Sequence, residues 1–155
     1  TTLFRSAEAG PDALIAAARA LLARGVRCLK VKLRARGDDA FAAELAALAA
    51  LRREVDPPGG LELRLDANGA WTEDEARRRL EALAPLAPRF IEQPVAPDRL
   101  VHLGACAIPW AADESLALPG MAERLVDAPG CAAFVLKPAA LGLYGLGGRR
   151  TSRRF

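Results

Sequence analysis

The chain has 155 residues, 52% of them apolar and only 5% aromatic, so one domain-sized core of Leu, Ala and Val is within reach. Its net charge of +3 comes from Arg149, Arg150, Arg153 and Arg154; without them 18 basic residues face 19 acidic ones, which removes the basis for a nucleic-acid partner. No apolar run is long and uncharged enough to cross a bilayer, and the first residues lack a basic region followed by an apolar one, so a cytoplasmic location is expected.

Helical and strand signals alternate along the chain. Residues 12–24 are rich in Ala and Leu at helical spacing, with Pro11 near the first turn and Gly25 as a stop. Residues 27–33 read as a strand, and 38–54 as a second helix with Phe41, Leu45, Leu48 and Leu51 along one face. A Pro-Pro-Gly-Gly run at 57–60 ends that helix before the strand 61–65. Thr72 with Glu75 forms a capping-box signature for a helix reaching Leu83. Residues 89–92, 108–112 and 132–136 complete five strands, with Pro109 tolerated at the start of its own. Residues 2–5 are a candidate for a sixth strand, and short helices fall near 97–104 and 119–126.

Short apolar strands alternating with helices point to βα units and a parallel sheet, and no linker marks a second domain. Cys28, Cys106 and Cys131 lack paired or metal-type spacing and are expected to be buried, reduced thiols. The glycines of 142–148 are not followed by a helical pattern, so they do not form a dinucleotide loop. Residues 1–142 therefore read as the folded part and 143–155 as a non-family or disordered basic tail.

Lysine occurs only at Lys30, Lys32 and Lys137, each time at the end of an apolar run. The sole Asn, Asn68, and the sole Gln, Gln93, stand at equivalent places. Arg keeps its charge at neutral pH, whereas a desolvated Lys can lose its proton and act as a base. In order, the strand ends carry Lys30-x-Lys32, Asp66-x-Asn68, Glu92-Gln93, Asp113-Glu114 and Lys137. Three carboxylates converging on one point repel unless a cation lies between them. Hard oxygen donors with no His or Cys nearby favour Mg2+ over zinc. Lys30 and Lys32 share one strand face, so their repulsion should lower the pKa of at least one of them.

This series resembles the enolase superfamily in its muconate-lactonizing-enzyme-like branch, through Lys-x-Lys, Asp-x-Asn, Glu-Gln-Pro, Asp-Glu-Ser and the late Lys. Residues 136–142 together with 112–116 look most like the o-succinylbenzoate synthases of menaquinone biosynthesis. The patterns around the late lysine that mark cycloisomerases and dipeptide epimerases are lacking. The resemblance implies an α/β fold, a partial (β/α)8-type barrel of about five to six βα units with parallel strands. It implies Mg2+ held by Asp66, Glu92 and Asp113, and a small-molecule carboxylate substrate rather than a nucleic acid or a membrane. The reaction implied is dehydration of 2-succinyl-6-hydroxy-2,4-cyclohexadiene-1-carboxylate through an enediolate. Lys32 would be the base, Lys30 would tune it, and Lys137 would stabilise the anionic intermediate. Asn68, Gln93 and Glu114 would support ligands or substrate.

Two other readings follow from the same residues. A dipeptide epimerase or N-acylamino acid racemase of the superfamily would use the lysines as opposed bases. A full barrel needs about eight βα units and roughly 200 residues or more, so the chain is expected to be a fragment, and an inactive truncation product is the remaining reading. Missing strands would leave Leu63, Leu65, Ile91, Val135 and Leu136 facing an open interior, incompletely buried.

Overall fold

The computed structural model of the protein describes residues 2–4, 10–34, 36–55 and 60–137. Its strands are β1 (Thr2–Phe4), β2 (Cys28–Lys32), β3 (Glu62–Asp66), β4 (Phe90–Glu92), β5 (Trp110–Ala112) and β6 (Cys131–Phe134). Between them run α1 (Gly10–Ala23), α2 (Asp38–Val55), α3 (Glu73–Leu83), α4 (Leu100–Leu103) and α5 (Met121–Leu125). Every pairing is parallel and the order is β1-β2-β3-β4-β5-β6, so each strand lies beside its predecessor. That is the order of a (β/α)8 barrel wall. Among the described residues the wall is open, with β1 and β6 as its edges. The expected partial barrel is therefore the observed fold, with the sixth strand present. The glycine run and the basic tail of 143–155 lie outside the described residues.

Alternation along the strands sorts the two faces of the wall. Leu29, Val31, Leu63, Leu65 and Ile91 are almost fully buried, against helix residues such as Leu48, Leu51, Leu80 and Leu83. Burying a side chain of this size contributes about 1.5–3 kcal/mol. Their neighbours Lys30, Lys32, Glu62, Arg64, Asp66, Phe90 and Glu92 point the other way, into the barrel interior. The expectation that Leu63, Leu65 and Ile91 face the open interior is thus corrected: each is 0% exposed on the helix side. The open interior is instead lined by Arg64, Arg89, Phe90 and residues 132–135, around a hollow of about 460 Å³. Arg64 stacks over the Phe90 ring at 5.2 Å and pairs with Glu62 at 2.6 Å, which keeps this end polar. Leu136 is 61% exposed and Val135 half-buried, as expected beside an unpaired edge.

Local signals act where the sequence places them. Pro109 sits one residue before β5 and still gives its carbonyl to the Ile91 N–H at 3.0 Å. Gly130, at φ 90°, is required by a close approach, because a Cβ there would lie 2.8 Å from Trp110 Nε1. The α3 capping box is complete: Thr72 Oγ1 accepts from the Glu75 N–H at 3.3 Å, and Glu75 Oε2 accepts from the Thr72 N–H at 2.9 Å. Thr72→Ala is expected to lower the unfolding free energy by about 1 kcal/mol, read from the denaturant midpoint. An unchanged midpoint would show that the cap contributes nothing.

The three cysteines are half-buried rather than fully buried, and none forms a disulfide. Burial pushes the thiols of Cys106 and Cys131 up, so both stay protonated at neutral pH. No helix of the described residues is long and apolar enough to cross a membrane.

Candidate active site

Strand register aligns the charged residues at the C-terminal end of the wall. Lys32 lies beside Asp66, Asp66 beside Glu92, and Glu92 beside Ala111, with Asp113 following two residues later. The hydrogen-bond ladder continues past the strands: Leu33 N–H donates to the Asp66 carbonyl at 2.8 Å, Ala67 N–H to Glu92 at 3.0 Å and Gln93 N–H to Ala111 at 2.9 Å. The backbone carrying these side chains is tied on both sides.

Just beyond β3 and β4 the chain turns sharply, and the sole Asn and sole Gln do the turning. Asn68 has φ 48° and Gln93 φ 41°, a left-handed conformation that Asn tolerates better than Gln. Gln93 is held there by its own side chain. Its Nε2 donates to the Val95 carbonyl at 2.9 Å and to Ser115 Oγ at 2.8 Å. Its Oε1 accepts the N–H groups of Asp113 and Ser115, both at 3.1 Å. Ser115 passes its hydroxyl proton on to the Pro97 carbonyl at 2.8 Å. The amide is wholly buried with all its capacity used, and it fastens the end of β4 to the end of β5.

Ammonium groups sit among the carboxylates. Lys30 Nζ lies 2.6 Å from Glu92 Oε1 and 2.9 Å from Asp66 Oδ2. Lys32 Nζ donates to Asn68 Oδ1 at 3.0 Å and stands 3.9 Å from Asp66 Oδ2. Lys137 Nζ reaches Asp113 Oδ2 at 2.5 Å from the β6 side. Asn68 Nδ2 donates to Glu114 Oε1 at 3.2 Å. Beside Lys137, a groove of about 240 Å³ is lined by Asp113, Glu114, Leu116, Ala117, Val135 and Leu136.

Burial opposes the charge on Lys30, but its hydrogen bonds to Glu92 and Asp66 outweigh this and hold its pKa above the ordinary value. The expected drop from lysine–lysine repulsion is therefore not what governs Lys30. The nearer carboxylates decide its charge. Lys137 is also raised, chiefly by its hydrogen bond to Asp113. Glu92 moves the opposite way from a simple ion-pair partner and rises to about 7. Burial is the main cause, and Asp66 and Asp113 add to it, while Lys30 only partly offsets them. The asymmetry is physical, since one ammonium is shared between two carboxylates while Glu92 also faces the other acids.

Among the described residues no three His, Cys, Asp or Glu side chains are drawn around a common point. The donor set nevertheless fits a hard divalent cation. Asp66, Glu92 and Asp113 offer only oxygen and are all buried, and after burial itself the two neighbouring acids add to the rise of Glu92. The charged strand-end residues read from the sequence follow one another along this end of the wall, but the expected convergence of Asp66, Glu92 and Asp113 on one point is not seen among the described residues. Ser115, the partner that completes the Gln93 clamp, was not singled out; a small hydroxyl directly after an acidic pair at a strand end was the available signal. His102, in α4, is exposed.

The wall is thus a run of parallel βα units whose C-terminal end carries a lysine pair and successive acids. The chain belongs to the enolase C-terminal domain-like family, whose model matches residues 13–146. It is 36% identical over 136 residues to the o-succinylbenzoate synthase of Desulfotalea psychrophila, covering 84% of this chain and 36% of that protein. It is 38% identical over 114 residues to the hydrophobic dipeptide epimerase of Roseobacter litoralis, covering 71% and 32%. The o-succinylbenzoate synthase structure from Thermosynechococcus elongatus, complexed with Mg in its active site, gives a TM-score of 0.72 at 30% identity, over 92% of this chain and 46% of that one. The chain spans about a third of the length of these curated relatives.

Proposed function

We propose that this chain carries the metal- and base-bearing part of an Mg2+-dependent lyase of the o-succinylbenzoate synthase type. The observation that supports the reading is the succession of Lys32, Asp66, Glu92, Asp113 and Lys137 on consecutive strand ends, with Lys32 near Asp66 and Lys137 on Asp113. When bound by Asp66, Glu92 and Asp113, the cation supplies charge for the substrate carboxylate and for the enediolate derived from it. Lys32 Nζ takes the proton α to that carboxylate. The same ammonium then returns the proton to the departing hydroxyl, so that water leaves and o-succinylbenzoate remains. Lys137, entering from β6, offsets negative charge from the other side, and Lys30 holds Asp66 and Glu92 in place.

A second reading is favoured by the presence of lysines on both β2 and the far side of Asp113, which also suits two opposed bases. In an epimerase or racemase these would exchange an α-proton without loss of water. The test exchanges this chain for the matching segment of the Desulfotalea psychrophila relative and follows loss of the cyclohexadiene. Turnover that needs Mg2+ and stops with chelator is expected. Solvent deuterium entering the α position of dipeptides, with no dehydration, would replace the lyase reading by the epimerase one.

A further inference from the structure

One side chain at the mouth has a partner whose chemistry fixes more than its position. Asn68 Oδ1 is the hydrogen-bond partner of Lys32 Nζ among the described residues, since the contact to Asp66 at 3.9 Å is too long for a hydrogen bond. On its other side Asn68 Nδ2 donates to Glu114 Oε1. An ammonium can only donate and an ionised carboxylate can only accept, so the amide has one workable orientation between them. Turning it over would set NH2 against the ammonium and carbonyl against the carboxylate, losing both bonds.

The backbone fixes the same residue independently. Asn68 is left-handed at φ 48°, and its N–H donates to Asp66 Oδ1 at 3.0 Å. Such a conformation in a non-glycine residue persists where surrounding contacts over-determine it. Glu114 is held without full compensation as well. Its Oε1 serves Asn68, while Oε2 is buried and has no hydrogen-bond partner among the described residues. The strained Asn68 backbone and the incompletely paired Glu114 thus stand on either side of the amide that bonds Lys32.

We infer that Asn68 and Glu114 are positioning residues forming a relay that aims Lys32, an assignment that rests on the base role given to Lys32 above. A neutral Lys32 amine keeps two N–H bonds. Donating one to Asn68 Oδ1 directs its lone pair away from the loop and leaves it free for the substrate proton. Glu114 prevents the amide from turning over, and so acts on the base through Asn68.

The decisive variant is Asn68→Gly, because glycine keeps the left-handed backbone without strain and removes only the amide. In the same exchanged protein, kcat for dehydration is expected to fall about 10²-fold, the scale for a misplaced reacting group, with KM and Mg2+ affinity nearly unchanged. Glu114→Ala is expected to lower kcat by about tenfold, and Glu114→Gln, which keeps an oxygen for the amide, to recover most of that loss. A merely structural Asn68 would instead lower the melting midpoint and the Mg2+ affinity and leave kcat near that of the parent. A second measurement does not depend on turnover. In protein labelled with 15N, the Lys32 ammonium resonance should shift on Asn68→Gly and move toward that of a freely rotating lysine. If the resonance responds while the parent dehydrates nothing, the relay stands and the proposed function falls. If neither the resonance nor kcat changes in Asn68→Gly, the relay is overturned and the proposed function is untouched.

Discussion

In the exchanged protein, under the proposed lyase reading, replacing Lys32 by Ala is expected to reduce dehydration by at least about 10²-fold, and up to about 10⁴-fold, while leaving Mg2+ affinity nearly unchanged. Lys32 contacts Asn68 at 3.0 Å and only grazes Asp66 at 3.9 Å, so its removal disturbs no carboxylate strongly. Lys32→Arg should be almost as damaging, because a guanidinium keeps its proton at neutral pH and cannot abstract another. Lys30→Ala should behave differently. Lys30 is bonded to both Asp66 and Glu92, so its loss should change how the mouth takes up the cation. Initial rates and calorimetric Mg2+ titration separate the two cases. Normal turnover by Lys32→Arg would exclude Lys32 as the base.

Gln93→Leu is expected to cause the largest loss of stability of any single change at the mouth. Leucine fills a similar volume but abandons the Asp113 N–H, the Ser115 N–H and the Val95 carbonyl in a region closed to water. A buried polar group left unpaired costs about 1–3 kcal/mol, so the three together reach several kcal/mol, a large part of the stability of a domain. Leucine also fits a left-handed backbone less well than the self-bonded glutamine. Chemical denaturation of the exchanged protein reads the loss directly. Because the Asp113 N–H loses its acceptor, weaker Mg2+ binding should accompany it. A change in unfolding free energy below about 1 kcal/mol would mean that the clamp is dispensable.

Much of this site is legible in the sequence, for a physical reason. Lys30, Lys32, Asp66 and Glu92 interrupt or end apolar runs, and period-two geometry sends them all to one face. Parallel register then brings them side by side. Less legible is how neighbours divide the charge. Lys30 and Lys32 look alike as a pair, yet one binds two carboxylates and the other an amide, because only Lys30 lies deep enough to reach Glu92. The face of Leu63, Leu65 and Ile91 is likewise ambiguous when a strand carries apolar and charged residues in alternation, until the helix layer claims them. Ser115 stands in the Asp-Glu-Ser run, but its part in the clamp is not legible there because it is defined by Gln93, 22 residues earlier in the chain.

A wall in which each strand lies beside its predecessor can be laid down in the order of synthesis. As the chain leaves the ribosome, each new unit among the described strands meets an edge that is already formed. The same order governs electrical balance during growth. Lys30 emerges before Asp66 and Glu92, so neither acid is enclosed ahead of its counter-ion. Of the three strand-end acids, Asp113 precedes its partner, Lys137, and it stands on the strand that β6 joins last among the described ones.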